Sequence, residues 1–228
     1  MKFTVLIPVF NEEVTIKKVI LEILSKYPEI DLTVINDGSF DDTGREINSI
    51  INNNFKILSY SENQGKGYAL KYGLENVSED GVVIFWDGDD ELNSDNIQDL
   101  INFYTQNENC DILFGSRFLE PNKIQKYGLF KVVINSTLTQ LGNLFMKSNL
   151  TDMETAVKSF KTKFITKLNL KSNGFEIEPE ITYQLSKLSN IFEIPIDYKP
   201  RTKKEGKKIS FMDGFKTIIT IIKLIIKN

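Results

Sequence analysis

Short apolar runs alternate with segments of helical periodicity along the first half of the chain, and few architectures accept that alternation. Phe3-Thr-Val-Leu-Ile-Pro8 reads as a strand, and Ile16, Val19, Ile20, Ile23 and Leu24 recur at helical spacing directly after it. Leu32-Thr-Val-Ile-Asn36 is a second strand, Ile47, Ile50 and Ile51 mark a helix, and Phe55-Lys-Ile-Leu58 is a third strand. A helix opens after Gly65-Lys66-Gly67, and the apolar run that begins at Gly81 and ends in Trp86 is the fourth strand. Ser94 caps a helix with Ile97, Leu100, Ile101 and Tyr104 on one face, and Asp111-Ile-Leu-Phe-Gly115 closes the series. The pattern predicts an α/β fold, a mostly parallel sheet with helices on both faces. Ligands of such sheets lie beyond the carboxyl ends of the strands, where Asn11, Asp37 and Asp87 stand.

The fourth strand runs straight into Asp87-Gly88-Asp89-Asp90-Glu91. Carboxylates delivered at a strand end suit a hard divalent cation, Mg²⁺ or Mn²⁺, which takes one or two of them and completes its shell with water and a substrate's phosphates. An acidic turn is the other reading of the same residues, since Asp and Gly are ordinary turn formers. The chain holds no histidine, which excludes Ser-His-Asp and Cys-His nucleophile systems, histidine zinc sites and imidazole acid-base chemistry. Any mechanism must run on carboxylates, cations and metal. The single cysteine, Cys110, permits no internal disulfide, and no apolar leader precedes the first strand, so cytoplasmic residence is the expectation. A net charge of −3 hides a division: residues 1–120 hold 9 Lys/Arg against 22 Asp/Glu, residues 121–228 hold 19 against 9. The acidic half suits a metal, and the basic half suits phosphates or an anionic membrane surface. Nucleic acid fits less well, with no recognition motif present.

Residues 124–148 are apolar around too much of a helical circumference for a solvated helix, and Gly128, Asn135 and Gly142 interrupt them, so the segment is buried or meets a lipid interface. Ile177, Ile181, Leu185 and Leu188 mark a further helix. Ile191 to Tyr198 reads as an edge strand, because Pro195 cannot donate to a ladder. Residues 199–208 form a cationic loop. The Ile-rich tail, residues 211–228, is too short in unbroken apolar length to span a bilayer; it lies in the interface plane or packs as a last helix.

Taken together, Ile7-Pro8-Val-Phe10-Asn11-Glu12-Glu13, Asn36-Asp37-Gly38-Ser39, Asn63-Gln64-Gly65-Lys66-Gly67, Asp87-Gly88-Asp89, Gly115-Ser116-Arg117 and Arg201…Glu205-Gly206-Lys207 resemble family 2 glycosyltransferases of the GT-A fold. The later motifs are most similar to polyprenyl-phosphate glycosyltransferases of the dolichyl-phosphate mannose synthase type. The resemblance implies a Rossmann-like sheet divided by role: residues 1–120 for nucleotide sugar and metal, residues 121–210 for the acceptor within the same domain, and residues 211–228 as a tail. It implies inverting transfer of a hexose from a GDP- or UDP-linked donor to polyprenyl phosphate, with peripheral contact to the inner face of a membrane. Pro8, Phe10, Glu12, Ile35, Asp37, Lys66, Asp87, Gly88 and Asp89 would face the nucleotide sugar, and Asp89 with Glu91 would ligate the cation. Gly65 and Gly67 would let the backbone approach that ligand. Arg201 and Lys207 would clamp the diphosphate; Arg117, Lys131, Asn135 and Ser136 would hold an acceptor phosphate. Asp89, Arg117 and Arg201 would be the catalytic set. A phosphate monoester is already an anionic nucleophile at neutral pH and needs cations rather than a base. A sugar or protein hydroxyl acceptor would need a base, for which Asp152 and Glu154 are the candidates. Asp152-Met-Glu154-Thr-Ala-Val-Lys158 departs from the Gly-Phe-Arg-containing segment of those synthases, which leaves the acceptor side open.

Overall fold

The computed structural model describes residues 1–51, 54–78, 80–120, 129–146 and 148–201. Lys207 and the tail lie outside them, as does the side chain of Lys131. In chain order the elements are β1 (Phe3–Val9), α1 (Ile16–Lys26), β2 (Asp31–Asp37), α2 (Thr43–Asn48), β3 (Lys56–Tyr60), α3 (Lys66–Leu74), β4 (Val82–Phe85), α4 (Asp95–Gln106) and β5 (Ile112–Ser116). They continue with α5 (Leu129–Met146), β6 (Lys158–Lys161), a 3-10 turn over Thr162–Lys167, α6 (Ile177–Ser186) and β7 (Ile191–Pro195).

The seven strands form one sheet in the order β3-β2-β1-β4-β6-β5-β7. β6 pairs antiparallel with both neighbours, and the other pairs are parallel. The carboxyl ends of β1, β2, β4, β5 and β7 therefore point to one edge, and β6 begins there. Successive side chains of a strand point to opposite faces, and both faces here are apolar. Val5, Ile7, Val34, Ile84 and Trp86 pack with α1 and α4 residues such as Ile20 and Leu100. Leu6, Ile35, Val83 and Phe85 pack with α3 and α6 residues such as Leu70 and Ile181.

Three expectations need correction. β6 was invisible to hydrophobic pattern, because Lys158-Ser-Phe-Lys161 carries two lysines and a serine, yet Lys158, Ser159 and Phe160 are all 0% exposed. Asn135 and Gly142 do not interrupt α5, which runs unbroken through both. At Gly142 a Cβ would lie 2.6 Å from Met153 Sδ, so the glycine admits the 153 side chain against the helix. Leu138 and Thr139 face inward on α5, whereas Val133, Leu141, Leu144 and Phe145 stay exposed. The third correction concerns Gly65 and Gly67. Their close approach is to the chain itself: a Cβ on Gly65 would lie 2.4 Å from the Asn173 carbonyl oxygen, and one on Gly67 would lie 2.6 Å from that of Ser172. Tyr68 N donates to the same Asn173 oxygen at 3.1 Å, and Glu180 accepts from the amides of Lys171 and Ser172, which holds that strip in place.

Gly65 also adopts φ +99°, a region costly to any residue with a Cβ. Gly65→Ala is therefore expected to destabilise the fold by about 2 kcal/mol or more. Thermal denaturation of the two proteins measures this, and an unchanged melting temperature would refute the packing of residues 172–174 on α3.

Candidate active site

Loops leaving the parallel strands meet at the carboxyl edge, and side chains stitch them together. After β1, Asn11 takes φ +53°; its amide donates to Ser39 Oγ at 2.9 Å, and its Oδ1 accepts from Phe40 N at 3.0 Å. Phe10 meets the exposed Phe40 edge to face, ring centres 5.7 Å apart. At the end of β2, Asp37 is buried. Its Oδ1 accepts from Gln64 N at 2.7 Å, and its Oδ2 accepts from Gly65 N and Asn63 Nδ2 at 2.9 Å each. Asp37 thus fixes the turn before α3.

The acids after β4 form the centre. Asp89 Oδ2 accepts from Arg201 Nη2 at 3.0 Å, and Oδ1 accepts from Glu91 N at 3.1 Å. Burial, then the neighbouring charges of Asp87 and Glu91, push the Asp89 carboxyl up to about 7 despite Arg201. Arg201 also donates to both oxygens of Glu12, at 2.8 and 3.2 Å, and its amide donates to Glu91 Oε1 at 2.6 Å. Three strand ends, those of β1, β4 and β7, thereby converge on one guanidinium. Arg201 arrives there because residues 196–201 are zipped onto the segment after β4. Asn96 exchanges hydrogen bonds with the backbone of Asp197, Lys199 N donates to Glu91 O at 2.7 Å, and the Tyr198 hydroxyl donates to Glu91 Oε2.

Asp87 has a different partner. Lys66 Nζ lies 2.8 Å from Asp87 Oδ1 and 2.9 Å from Glu178 Oε1, and Lys158 Nζ lies 2.7 Å from Glu178 Oε2. Asp87, Lys66, Glu178 and Lys158 alternate in sign from the acids after β4 into the sheet. Burial alone would push the Glu178 carboxyl up; Lys158 and Lys66 more than offset it and leave it below the ordinary range. Burial works against the Lys66 ammonium, and Asp87 and Glu178 outweigh it, so it stays charged.

After β5, Arg117 makes a bidentate pair with Asp152, Nε to Oδ2 at 2.6 Å and Nη2 to Oδ1 at 2.7 Å, and its amide adds a third bond at 3.1 Å. Asn135 Nδ2 donates to Asp152 Oδ1 at 3.2 Å. Arg117 also lies over the rings of Phe118 and Tyr198, 5.4 Å from each centre. Glu193 of β7 accepts from the amides of Thr151 and Asp152, which orients that turn. Glu154 is different in kind: its Oε1 is buried with no hydrogen-bond partner. Burial raises its carboxyl to about 7, with Lys158 opposing that and Glu178 adding to it.

The expected residues thus divide. Glu12, Lys66, Asp87, Asp89, Glu91 and Arg201 come together, and Arg117, Asn135 and Asp152 form a second group. Ile35 does not reach the edge; it is 0% exposed under α3. Pro8 lies inside β1 opposite Ile35. Gly88 packs toward Ile7 and Ile16, and its carbonyl accepts from Thr15 Oγ1 at 2.9 Å. Ser136 accepts from Gln140 of its own helix at 3.4 Å rather than from the Arg117 group. Asp152 is 0% exposed, and its two oxygens already accept from four donors. Both oxygens of Glu91 already accept, from Tyr198 and from Arg201 N, so Glu91 anchors the β7 extension. Sequence reasoning missed Glu178 and Lys158. The available signal was a carboxylate at 178 between Ile177 and Ile181, on a helix face that is otherwise apolar.

Among the described residues no group of three or more acidic or cysteine side chains is arranged to enclose a cation. A hard cation bound at Asp89 must complete its shell from a ligand's oxygens and water, as Mg²⁺ characteristically does.

The glycosyl transferase family 2 profile matches residues 4–168. An uncharacterised glycosyltransferase of Haemophilus influenzae is 33% identical over 147 residues, 62% of this chain, which spans only 58% of that relative's length. An undecaprenyl-phosphate mannosyltransferase of Micrococcus luteus is 22% identical over 217 residues, 91% of this chain and 87% of its own. Among solved structures, glucosyl-3-phosphoglycerate synthase of Mycobacterium tuberculosis, in complex with Mn²⁺, UDP-glucose and glycerol 3-phosphate, superposes with a TM-score of 0.71 at 20% identity. That superposition covers 98% of this chain and 80% of the synthase, and it bears out the expected GT-A architecture. With a family profile matched from β1 through the 3-10 turn, the chain belongs to glycosyl transferase family 2.

Proposed function

We propose that this chain catalyses inverting transfer of a hexose from a nucleotide diphosphate sugar, held with Mg²⁺ or Mn²⁺, to polyprenyl phosphate at a membrane surface. The observation that carries the donor half is Asp89, a half-buried carboxylate raised to about 7 beside Asp87 and Glu91 after β4. Crowded negative charge of that kind fits a divalent cation, and the Mycobacterium synthase is described with Mn²⁺ and UDP-glucose. The cation, when bound with donor, offsets charge on the departing diphosphate. Asp89 is its ligand from this chain. Arg201, whose Nη2 lies 3.0 Å from Asp89 Oδ2, takes diphosphate oxygens bidentately when the donor binds. Asp87, steadied by Lys66, accepts hydroxyl protons of sugar or ribose, and Phe10 and Phe40 offer ring surface to a base.

Three features support a polyprenyl phosphate acceptor. The Micrococcus undecaprenyl-phosphate mannosyltransferase aligns with nearly the whole chain. Arg117 stands at the end of β5 next to Asn135 of α5, joined through Asp152. The outward face of α5 presents Val133, Leu141, Leu144 and Phe145 to solvent, apolar surface suited to a lipid chain or interface. Among the described residues no helix is long and apolar enough to cross a membrane. A second reading rests on Glu154: a carboxyl poised near neutral pH, with one oxygen unpaired, suits proton abstraction from a hydroxyl acceptor.

Incubation of the full chain with Mn²⁺, UDP- and GDP-linked hexoses and a short-chain polyprenyl phosphate is expected to yield a lipid-linked sugar, and Asp89→Ala to lower the rate by about a hundredfold or more. Product on soluble sugar hydroxyls alone, abolished by Glu154→Gln, would establish the second reading instead. Glu154 also makes a stability prediction with a definite sign. Its folded pKa lies above the ordinary 4.5, so the folded state holds the proton more tightly, and that contribution is full below pH 4.5 and lost as pH rises through about 7. Denaturation midpoints from about pH 5 to 8 should fall more steeply for the native chain than for Glu154→Gln.

A further inference from the structure

Arg201 Nη2 donates to Asp89 Oδ2, and the same guanidinium pairs with Glu12 and lies beside Glu91. Its guanidinium is 3.0 Å from Asp89, 2.8 Å from Glu12 and 3.6 Å from Glu91, and its side chain is 15% exposed. It is therefore already acting as the counterion of the acids that would receive a divalent cation. Its Nε is buried and makes no hydrogen bond, so the fork is not fully satisfied where it lies. Two cations cannot share Asp89 at these distances without strong mutual repulsion.

We propose that Arg201 determines which form of the metal the donor site admits: a cation chelated by a nucleotide diphosphate, and not the bare ion. This inference rests on the metal-assisted donor reading above. A bare divalent ion must displace the guanidinium from Asp89 and leave it among Glu12 and Glu91 with nothing new to bind. A metal-nucleotide pair brings its own anion. The diphosphate takes the guanidinium as the cation takes Asp89, so each charge exchanges one partner for another and none is left unpaired. Metal and nucleotide are consequently coupled through one side chain, and each should bind more tightly when the other is present. No bond is made or broken in the exchange. The β7 extension can stay in place while the side chain turns, because its anchors are separate from the guanidinium: Glu91 holds the Tyr198 hydroxyl and the Lys199 and Arg201 amides.

Mn²⁺ binding, followed by the electron paramagnetic resonance signal of free Mn²⁺ with and without UDP or GDP, tests this on the full chain. Arg201→Met is expected to bind Mn²⁺ alone about fivefold or more tighter than the native chain, and to lose most of the nucleotide-dependent tightening. Arg201→Lys, which keeps the charge without the fork, should move in the same direction by less; it carries the comparison if the methionine variant melts below the assay temperature. Unchanged or weaker binding of Mn²⁺ alone by both variants would overturn the proposal while leaving the donor reading intact. Failure of the native chain to bind Mn²⁺ even with nucleotide would overturn both.

Discussion

Negative charge gathered at one edge of a parallel sheet is the constraint that the rest of this structure answers. Parallel strands must end together, and here the ends of β1, β2 and β4 deliver Glu12, Asp37, Asp87, Asp89 and Glu91 into one region. Carboxylates removed from water are costly unless paired or hydrogen bonded. Each solution in this protein is local and different. Asp37 is met by amides of the turn before α3, Asp87 by an ammonium, Glu12 and Asp89 by a shared guanidinium, and Glu91 by a phenol and one backbone amide. Asp89 bears the crowding: burial and the charges of Asp87 and Glu91 push its carboxyl up to about 7.

The opposite charges of the two halves acquire a structural meaning from this. Arg201 and Lys158 come from the basic half and neutralise, directly or through Glu178 and Lys66, acids of the first half. The C-terminal part is accordingly tied to the acids after β1 and β4 as well as to Arg117, since the β7 extension supplies Arg201 and Tyr198 while Arg117 packs over the ring of the same Tyr198.

Much of this was legible beforehand. The strands β1, β2, β4 and β5 are short apolar runs with acids or turn residues at their ends, and those ends named Glu12, Asp37, Asp87, Asp89 and Arg117 directly. β6 was not legible, because its side chains pair by charge and hydroxyl rather than by hydrophobicity: Lys158 reaches Glu178, and Ser159 Oγ donates to Leu113 O at 2.6 Å. Glu178 is equally opaque, for a buried glutamate reads as a surface one until its two lysines are found far away in sequence. Gly65 and Gly67 were legible as a close approach but not as an approach to what. The contact to residues 172–174 spans more than a hundred positions, and nothing local in Ser172-Asn-Gly174 announces it.

The departure at residues 152–158 can now be argued physically. Where the resemblance implies a Gly-Phe-Arg-containing segment, this chain has residues 152–158 ending in Lys158, and the charge of that lysine is directed inward. An ammonium has three donors, and all three are consumed inward: Glu178 Oε2 at 2.7 Å, the Met153 carbonyl at 3.1 Å and the Thr155 carbonyl. A guanidinium has five donors in a flat fork and would leave some for a ligand. Lys158 is turned into the protein, and Arg117, after β5, is already held by Asp152 in a bidentate pair. Lys158 therefore adds no charge beside Arg117, while Glu154 Oε1, two residues from Asp152, is buried without a hydrogen-bond partner. Under the proposed reading an acceptor phosphate would rely on Arg117 rather than on residues 152–158, and Glu154 is the one group in that segment from which the hydroxyl-acceptor reading would draw its base.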